Sequence, residues 1–306
     1  MTSSPAVAIA PPGEDELRTA VVDGGGRVVD PGEADALVWT DPQDPDGLKD
    51  LLEKTSIKWV QLPFAGIEKF ADAGVLDPAL TWTCTKGAYG SSCAEHAMAF
   101  MLAAARLLHV HVPARSWAGQ GPERRLKGCT VLIVGTGGIG ESLAGMLKPF
   151  GPRILASNRS GRPMDGAERT ETSDKLTDLV AEADYVVIAA SLTPATKGMF
   201  DREVLEAMRP DAWIINVARG GLIDTDALVA ALREGGIGGA ALDVTDPEPL
   251  PDGHPLWAMD NVMITPHVAN TWNMALPELV EMVRRNVANF SEGKELEGLV
   301  DPALGY

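Results

Sequence analysis

Short apolar runs alternate with stretches of helical periodicity almost from one end of the chain to the other. The runs at residues 5–10, 36–40, 57–62 and 81–85 are rich in β-branched and aromatic residues and have turn-forming flanks, which predicts strands. Helical patterns at 14–22 and 46–54 lie between them, so the first 90 residues or so read as a βα domain. A long helix is expected over 92–110, ended by Pro113, as a rigid connection to a second βα series. That series opens with a strand at 129–134 and continues with strands at 154–157, 185–189, 213–217, 239–242 and 262–264. Helices are expected at 172–181 and 224–233. Alternation this regular argues for parallel sheets covered on both faces. An amphipathic helix at 276–290 comes last, with no strand after it, and is placed to pack back on the first domain.

Composition narrows the class. With 306 residues, 45% hydrophobic and 23% charged, the chain is a globular protein long enough for two domains. Its net charge of −17 repels nucleic acid and anionic lipid, so neither is expected as a partner. An anionic substrate then needs a locally positive pocket. The N-terminus has neither the basic region nor the apolar core of a secretory signal. The apolar stretch 94–110 carries Glu95, His96 and Arg106 and is short of the roughly 20 residues a membrane span needs. Three cysteines, Cys84, Cys93 and Cys129, show no metal-ligand spacing and read as reduced, inert thiols of a cytoplasmic protein; no metal is expected.

The most specific local pattern is Gly135-Thr-Gly-Gly-Ile-Gly140, between an apolar strand and a helix. Gly135 permits the tight turn, Gly137 lets a pyrophosphate approach the backbone, and Gly140 lets helix and strand pack closely. Free N–H groups and the helix dipole favour the phosphate charge. The bland alternative is a glycine-rich turn without a ligand. A carboxylate for the adenosine ribose is expected about 20 residues further on, but the next strand runs into Ser157-Asn-Arg-Ser160, with no acid before Asp165. Ser157, Asn158 and Ser160 can hydrogen-bond a 2′-phosphate and Arg159 can pair with its charge. This favours NADP(H) and leaves NAD(H) possible; the alternative is a solvated surface arginine.

Three residues carry candidate chemistry. Reduction of a 2-oxo acid requires that the carboxylate be held, the carbonyl polarised, and a proton delivered as hydride arrives. Arg219, Glu248 and His267 each follow an expected strand. In open parallel sheets ligands bind outside the carboxyl ends of strands, so the three can converge. Taken singly, each has a structural explanation as a surface ion pair, a solvated loop acid and a structural loop histidine.

The glycine loop at 135–140, Asn216-Val-Ala-Arg-Gly-Gly-Leu-Ile-Asp224, Ala241-Leu-Asp-Val-Thr-Asp-Pro-Glu-Pro-Leu-Pro251 and Thr265-Pro-His-Val-Ala269 together resemble the signatures of the D-isomer-specific 2-hydroxyacid dehydrogenases, over nearly the whole chain. The resemblance implies that Arg219 binds carboxylate and carbonyl, that His267 is the acid/base, and that Glu248 pairs with it. It also implies that Asp243 lies by the nicotinamide amide. Phe64-Ala-Gly-Ile67 matches the family loop whose N–H groups meet the substrate carboxylate, so Phe64, Ala65, Gly66 and Ile67 are expected substrate contacts. The expected cofactor set is Gly135, Gly137, Gly138, Ile139, Gly140, Asn158, Arg159, Ser160, Val217, Ala218 and Asp243. The implied fold is two Rossmann-like or flavodoxin-like doubly wound parallel-sheet domains with a cleft between them. The substrate domain takes residues 1–97 plus 273–306 and the dinucleotide domain 98–272. A homodimer is implied as well.

The missing ribose carboxylate resembles the NADPH-preferring glyoxylate/hydroxypyruvate reductase branch. Alternatives are an NAD-dependent dehydrogenase of another 2-hydroxy acid, of the phosphoglycerate or D-lactate type, and a dinucleotide-sensing corepressor-like protein. His96 is expected to pack or cap its helix, His109 and His111 to lie on a surface, and His254 to anchor a loop. Trp117, Trp257 and Trp272 are expected in a core or interface, or as walls of a substrate pocket.

Overall fold

The computed structural model describes residues 4–117 and 119–302. Residues 1–3 and 303–306, which the expected substrate domain takes in, and Ala118 lie outside the described residues. The chain forms two compact units, Met1–Tyr89 with Trp272–Tyr306, and Gly90–Thr271.

The first unit runs β1 (Ala6–Ala10), α1 (Asp15–Asp23), β2 (Arg27–Val28), β3 (Ala36–Trp39), α2 (Pro45–Leu52), β4 (Trp59–Gln61), α3 (Glu68–Asp72) and β5 (Thr81–Thr83). Its five strands are parallel in the order β2-β1-β3-β4-β5, a doubly wound sheet. Every residue of β3 and β4 is buried, as expected of strands covered on both faces.

In the second unit α4 (Gly90–Ala105) and α5 (Leu108–His111) precede β6 (Thr130–Val134), α6 (Gly138–Leu147), β7 (Arg153–Asn158) and β8 (Arg169–Thr172). Then come α7 (Leu176–Val180), β9 (Tyr185–Ile188), α8 (Arg202–Ala207), β10 (Trp213–Asn216), α9 (Thr225–Arg233), β11 (Gly239–Leu242) and β12 (Val262–Ile264). The seven parallel strands are ordered β12-β11-β10-β9-β6-β7-β8. The order therefore reverses between β6 and β9, the point where such sheets open a crevice beyond their carboxyl ends. Alanines and methionines of α4 pack with Leu143, Ala144 and Leu147 of α6 on one face of the sheet; α7, α8 and α9 cover the other. The small side chains let α4 and α6 come close. At Gly90 a Cβ would stand 2.4 Å from Gly138 O.

The last helix, α10 (Trp272–Glu292), buries Leu279, Val283 and Val287 against β1, α1 and Trp59 of the first unit. A buried polar chain fixes it there: Trp59 Nε1 donates to Thr83 Oγ1, Thr83 Oγ1 to Gln61 Oε1, and Asn286 Nδ2 to the same Gln61 oxygen.

Three local expectations are corrected. The helix expected over 92–110 is two helices, because Leu107 takes a left-handed φ of 51° and Arg124 N–H donates to Ala105 O at the end of α4. The final helix starts at Trp272, placing Pro277 in its second turn rather than its first. Strands β2 and β8 have no apolar run to announce them: β2 is two residues long and β8 reads Arg-Thr-Glu-Thr at a sheet edge. Among the described residues no helix is long and apolar enough to cross a membrane, and no cluster of three or more His, Cys, Asp or Glu is arranged to hold a metal ion.

Candidate active site

The carboxyl ends of the second unit's strands carry most of the candidate residues. Beyond β6, Gly135 has φ +105° and its missing Cβ would stand 2.4 Å from Ala189 O at the end of β9. A Cβ on Gly140 would meet Gly135 O at 2.2 Å. At Gly137, in contrast, a Cβ would touch nothing within 4 Å. Two glycines are thus demanded by packing, while the middle one leaves open backbone at the start of α6, which begins with Gly138, Ile139 and Gly140. A pyrophosphate fits that arrangement of open backbone, helix N–H groups and helix dipole.

At the end of β7, Asn158 Nδ2 donates to Thr136 Oγ1 in the glycine loop and to Arg162 O, and its Oδ1 accepts from Ser160 N–H and Ser160 Oγ. Asn158 therefore ties the 159–162 turn to the glycine loop. Ser157 differs from the expectation of an outward hydrogen-bonding group: it is buried, and its Oγ has no partner among the described residues.

Beyond β10, buried Asn216 shapes the loop of Val217, Ala218 and Arg219. Its Oδ1 accepts from Ala218 N–H and its Nδ2 donates to Arg219 O. Arg219 Nη1 donates to Ala218 O. The next residue, Gly220, has no room for a side chain: a Cβ would lie 2.0 Å from both Thr245 C and Thr245 O. The arginine loop is thereby seated on the turn that leads to Glu248. Thr225 Oγ1 donates to Asp246 O from the start of α9, and Thr245 Oγ1 to Pro247 O, holding the same turn.

Beyond β11, Asp243 is buried with both carboxylate oxygens engaged. Oδ1 accepts from Thr265 Oγ1 at 2.6 Å and from Val268 N–H at 2.9 Å, and Oδ2 from Ala269 N–H at 2.9 Å. Its backbone oxygen accepts from His267 N–H at 2.8 Å. His267 is held at φ 55°, a left-handed conformation uncommon outside glycine. Its Nδ1 lies 2.7 Å from Glu248 Oε1, both side chains being about half exposed. An ionised carboxylate only accepts, so Nδ1 carries the proton and Nε2 remains to take or give one.

Phe64, Ala65, Gly66 and Ile67 belong to the first unit, between β4 and α3. The Phe64 ring packs between Tyr89 and Trp272, with centroids 6.1 and 5.8 Å away. Tyr89 Oη and Thr85 Oγ1 both donate to Pro63 O at the head of the loop. Among the described residues the four N–H groups of 64–67 carry no hydrogen bond.

Asn216, Gly220, Thr265 and Thr136 had no assigned part in the sequence reading. Only their neighbours' motifs could have pointed to them, because each acts by a hydrogen bond or a close approach across chain segments. His96 sits in the middle of α4, not at a cap. His109 corrects the surface expectation: its ring packs on Trp213 with centroids 4.9 Å apart, and burial holds its pKa below the usual histidine range. His111 Nε2 is 2.8 Å from Glu123 Oε1. His254 Nδ1 accepts from Leu256 N–H, anchoring its loop. Trp117 is fully exposed and Trp257 half exposed, so neither is a core residue. All three cysteines are free thiols pushed up chiefly by burial.

Comparison with known proteins adds three relatives and a family. Residues 98–269 match the model of the D-isomer specific 2-hydroxyacid dehydrogenase, NAD binding domain. An uncharacterized protein of Corynebacterium melassecola is 43% identical over 303 residues, covering 95% of this chain and 97% of that one. A human glyoxylate reductase/hydroxypyruvate reductase is 43% identical over 142 residues, 46% of this chain and 43% of the human one. The fold resembles that of an NADPH-dependent glyoxylate/hydroxypyruvate reductase from Sinorhizobium meliloti, solved with NADP and sulfate. That likeness has a TM-score of 0.83 at 25% identity and covers 99% of this chain and 100% of that one.

Proposed function

The chain belongs to the D-isomer specific 2-hydroxyacid dehydrogenase family, oxidoreductases that act on CH–OH groups with NAD(P), and from that premise we propose that it reduces a small 2-oxo acid, such as glyoxylate or hydroxypyruvate, with NADP(H). The observation that carries the reading is the 2.7 Å pair of His267 Nδ1 and Glu248 Oε1, on a turn that Gly220 packs directly against the Arg219 loop. The dinucleotide, when bound, supplies the hydride. Gly135, Gly137, Gly138, Ile139 and Gly140 would hold its pyrophosphate, and Val217, Ala218 and Asp243 would lie at its nicotinamide end.

Arg219 grips the substrate carboxylate and polarises the carbonyl through its planar, permanently charged fork. His267 Nε2 gives its proton to the carbonyl oxygen, and Glu248 stabilises the imidazolium from the opposite nitrogen. In the oxidative direction the same Nε2 takes the proton from the hydroxyl. The loop of Phe64, Ala65, Gly66 and Ile67 belongs to this reading as a carboxylate-binding loop, because among the described residues its N–H groups carry no hydrogen bond.

Preference for NADP(H) rests on the 158–162 turn. There Asn158 braces Arg159 and Ser160 beside the glycine loop, where a ribose carboxylate would repel a 2′-phosphate. Three free thiols without a disulfide support a reducing, cytoplasmic setting. A homodimer completes the reading; light scattering on the purified protein tests it.

The decisive experiment measures kcat/KM on a panel of 2-oxo acids with each reduced cofactor. The reading expects turnover with NADPH favoured, and in Arg159→Ala a KM for NADPH raised roughly tenfold with NADH unaffected. Equal efficiency with both cofactors in the unmodified protein overturns the cofactor assignment. No turnover of any 2-oxo acid, with cofactor shown to bind, overturns the activity.

A further inference from the structure

A polar chain runs from the middle of α4 into the loop that bears His267. His96 is mostly buried and lies edge-on against Phe100, ring centroids 4.6 Å apart. Its Nε2 is 3.0 Å from Thr265 Oγ1 and 3.5 Å from Asp243 Oδ1. The protons on this chain can be counted. The Asp243 carboxylate can only accept. Thr265 has a single hydroxyl proton, and the 2.6 Å contact with Asp243 Oδ1 engages it. Only lone pairs of Thr265 Oγ1 then face His96, so Nε2 carries a hydrogen and donates.

Everything downstream of that donor concerns the conformation of 265–269. Asp243 collects the N–H groups of His267, Val268 and Ala269, one on its backbone oxygen and two on its carboxylate. His267 sits between them at φ 55°, a conformation that persists only where its surroundings over-determine it. Thr265 O also accepts from His267 N–H at 3.0 Å, so the residue held by His96 closes the same turn.

We infer that His96 is a positioning residue: its Nε2–H fixes Thr265 and Asp243 so that the left-handed turn aims the His267 ring at Glu248. Among the described residues the side-chain contacts of His96 are with Thr265, Asp243 and Phe100. The kinetic half of this inference rests on the reading of His267 as acid/base; the conformational half does not. A histidine that only filled space beside Phe100 would be replaceable by any side chain of similar bulk, whereas a positioning donor would be replaceable only by another donor.

Three variants test the link: His96→Met removes the donor and keeps bulk, His96→Gln keeps a donor nitrogen at similar reach, and Thr265→Val cuts the chain from its other side. Hydrogen exchange of the 265–270 segment and steady-state kinetics are read on each. His96→Met and Thr265→Val are expected to exchange roughly tenfold faster in that segment, with α6 unchanged, and to lose kcat roughly tenfold while KM for the 2-oxo acid moves less than about threefold. His96→Gln returns both readouts to within about threefold of the parent. Unchanged exchange in His96→Met, or a Gln variant as impaired as the Met one, overturns the inference. Should the parent turn over no 2-oxo acid, the functional reading fails, and the exchange comparison still decides the role of His96.

Discussion

Gly220→Ala is the sharpest single perturbation of the proposed site. The new Cβ would be born 2.0 Å from Thr245 C and O and 2.6 Å from Asp246 N, whereas real Cβ contacts almost never fall below 3.0 Å. The obstacle is backbone, so no rotamer change relieves it; one of the two loops must retreat by about 1 Å. That turn is tied on both sides, by Thr225 Oγ1 to Asp246 O and by Thr245 Oγ1 to Pro247 O, so the shift is passed along to Glu248. Either Arg219 or the Glu248–His267 pair is then misplaced relative to the other. A misplacement near 1 Å costs on the order of 100-fold in rate, or about 2.7 kcal/mol of barrier. Steady-state rates followed by absorbance of the reduced nicotinamide, with a melting curve and a cofactor-binding titration on the same preparation, separate this from unfolding. Gly221→Ala is the internal control. Its nearest neighbours would be Leu192 methyls at 3.3 and 3.5 Å and the Asp246 carboxylate Oδ2 at 3.6 Å, all side-chain atoms that can swing aside or already stand at ordinary contact distance, so its kcat/KM stays within about threefold of the parent. A folded Gly220→Ala enzyme with kcat/KM equally close to the parent would refute the claim that this contact sets the geometry of the site.

Three further outcomes are expected. Glu248→Gln keeps an acceptor for His267 Nδ1 but removes the charge that stabilises the imidazolium, so kcat falls by about tenfold or more with cofactor affinity unchanged; a parent-like kcat would remove Glu248 from the mechanism. Glu182 is held below its ordinary value of 4.5 first by the Arg169 hydrogen bond and then by that of Arg153. Its contribution to stability is therefore present above 4.5 and lost as pH falls through the lower folded value, so Glu182→Gln lowers the melting temperature at neutral pH and its profile converges with the parent's in acid, flattening the acid limb. Burial pushes up the thiols of Cys84, Cys93 and Cys129, so a thiolate-selective disulfide reagent at neutral pH reacts slowly with native protein and rapidly with three thiols in denaturant. A fast native burst would contradict it.

Local pattern carried much of the fold. Continuous apolar runs such as those at 185–188 and 213–215 are legible as strands covered on both faces, because burial on two sides leaves no polar alternation. Edge strands lack that signature, and β8, with its Arg-Thr-Glu-Thr, is visible only once β7 is there to pair with it. The break at Leu107 and the inward turn of His109 escaped for a related reason: nothing nearby in sequence forbids a continuous helix or an outward imidazole.

The candidate site divides along the same line. Chain order and residue type were enough to name Gly135, Arg219, Glu248 and His267, since a glycine turn between strand and helix and chemically apt residues after strands are local statements. Which groups touch is not local. The 2.7 Å approach of His267 to Glu248, the seating of Gly220 on Thr245, and the chain from His96 through Thr265 to Asp243 join segments up to 169 residues apart. Only the parallel sheet, by setting the carboxyl ends of β10, β11 and β12 side by side, brings those segments within hydrogen-bonding distance.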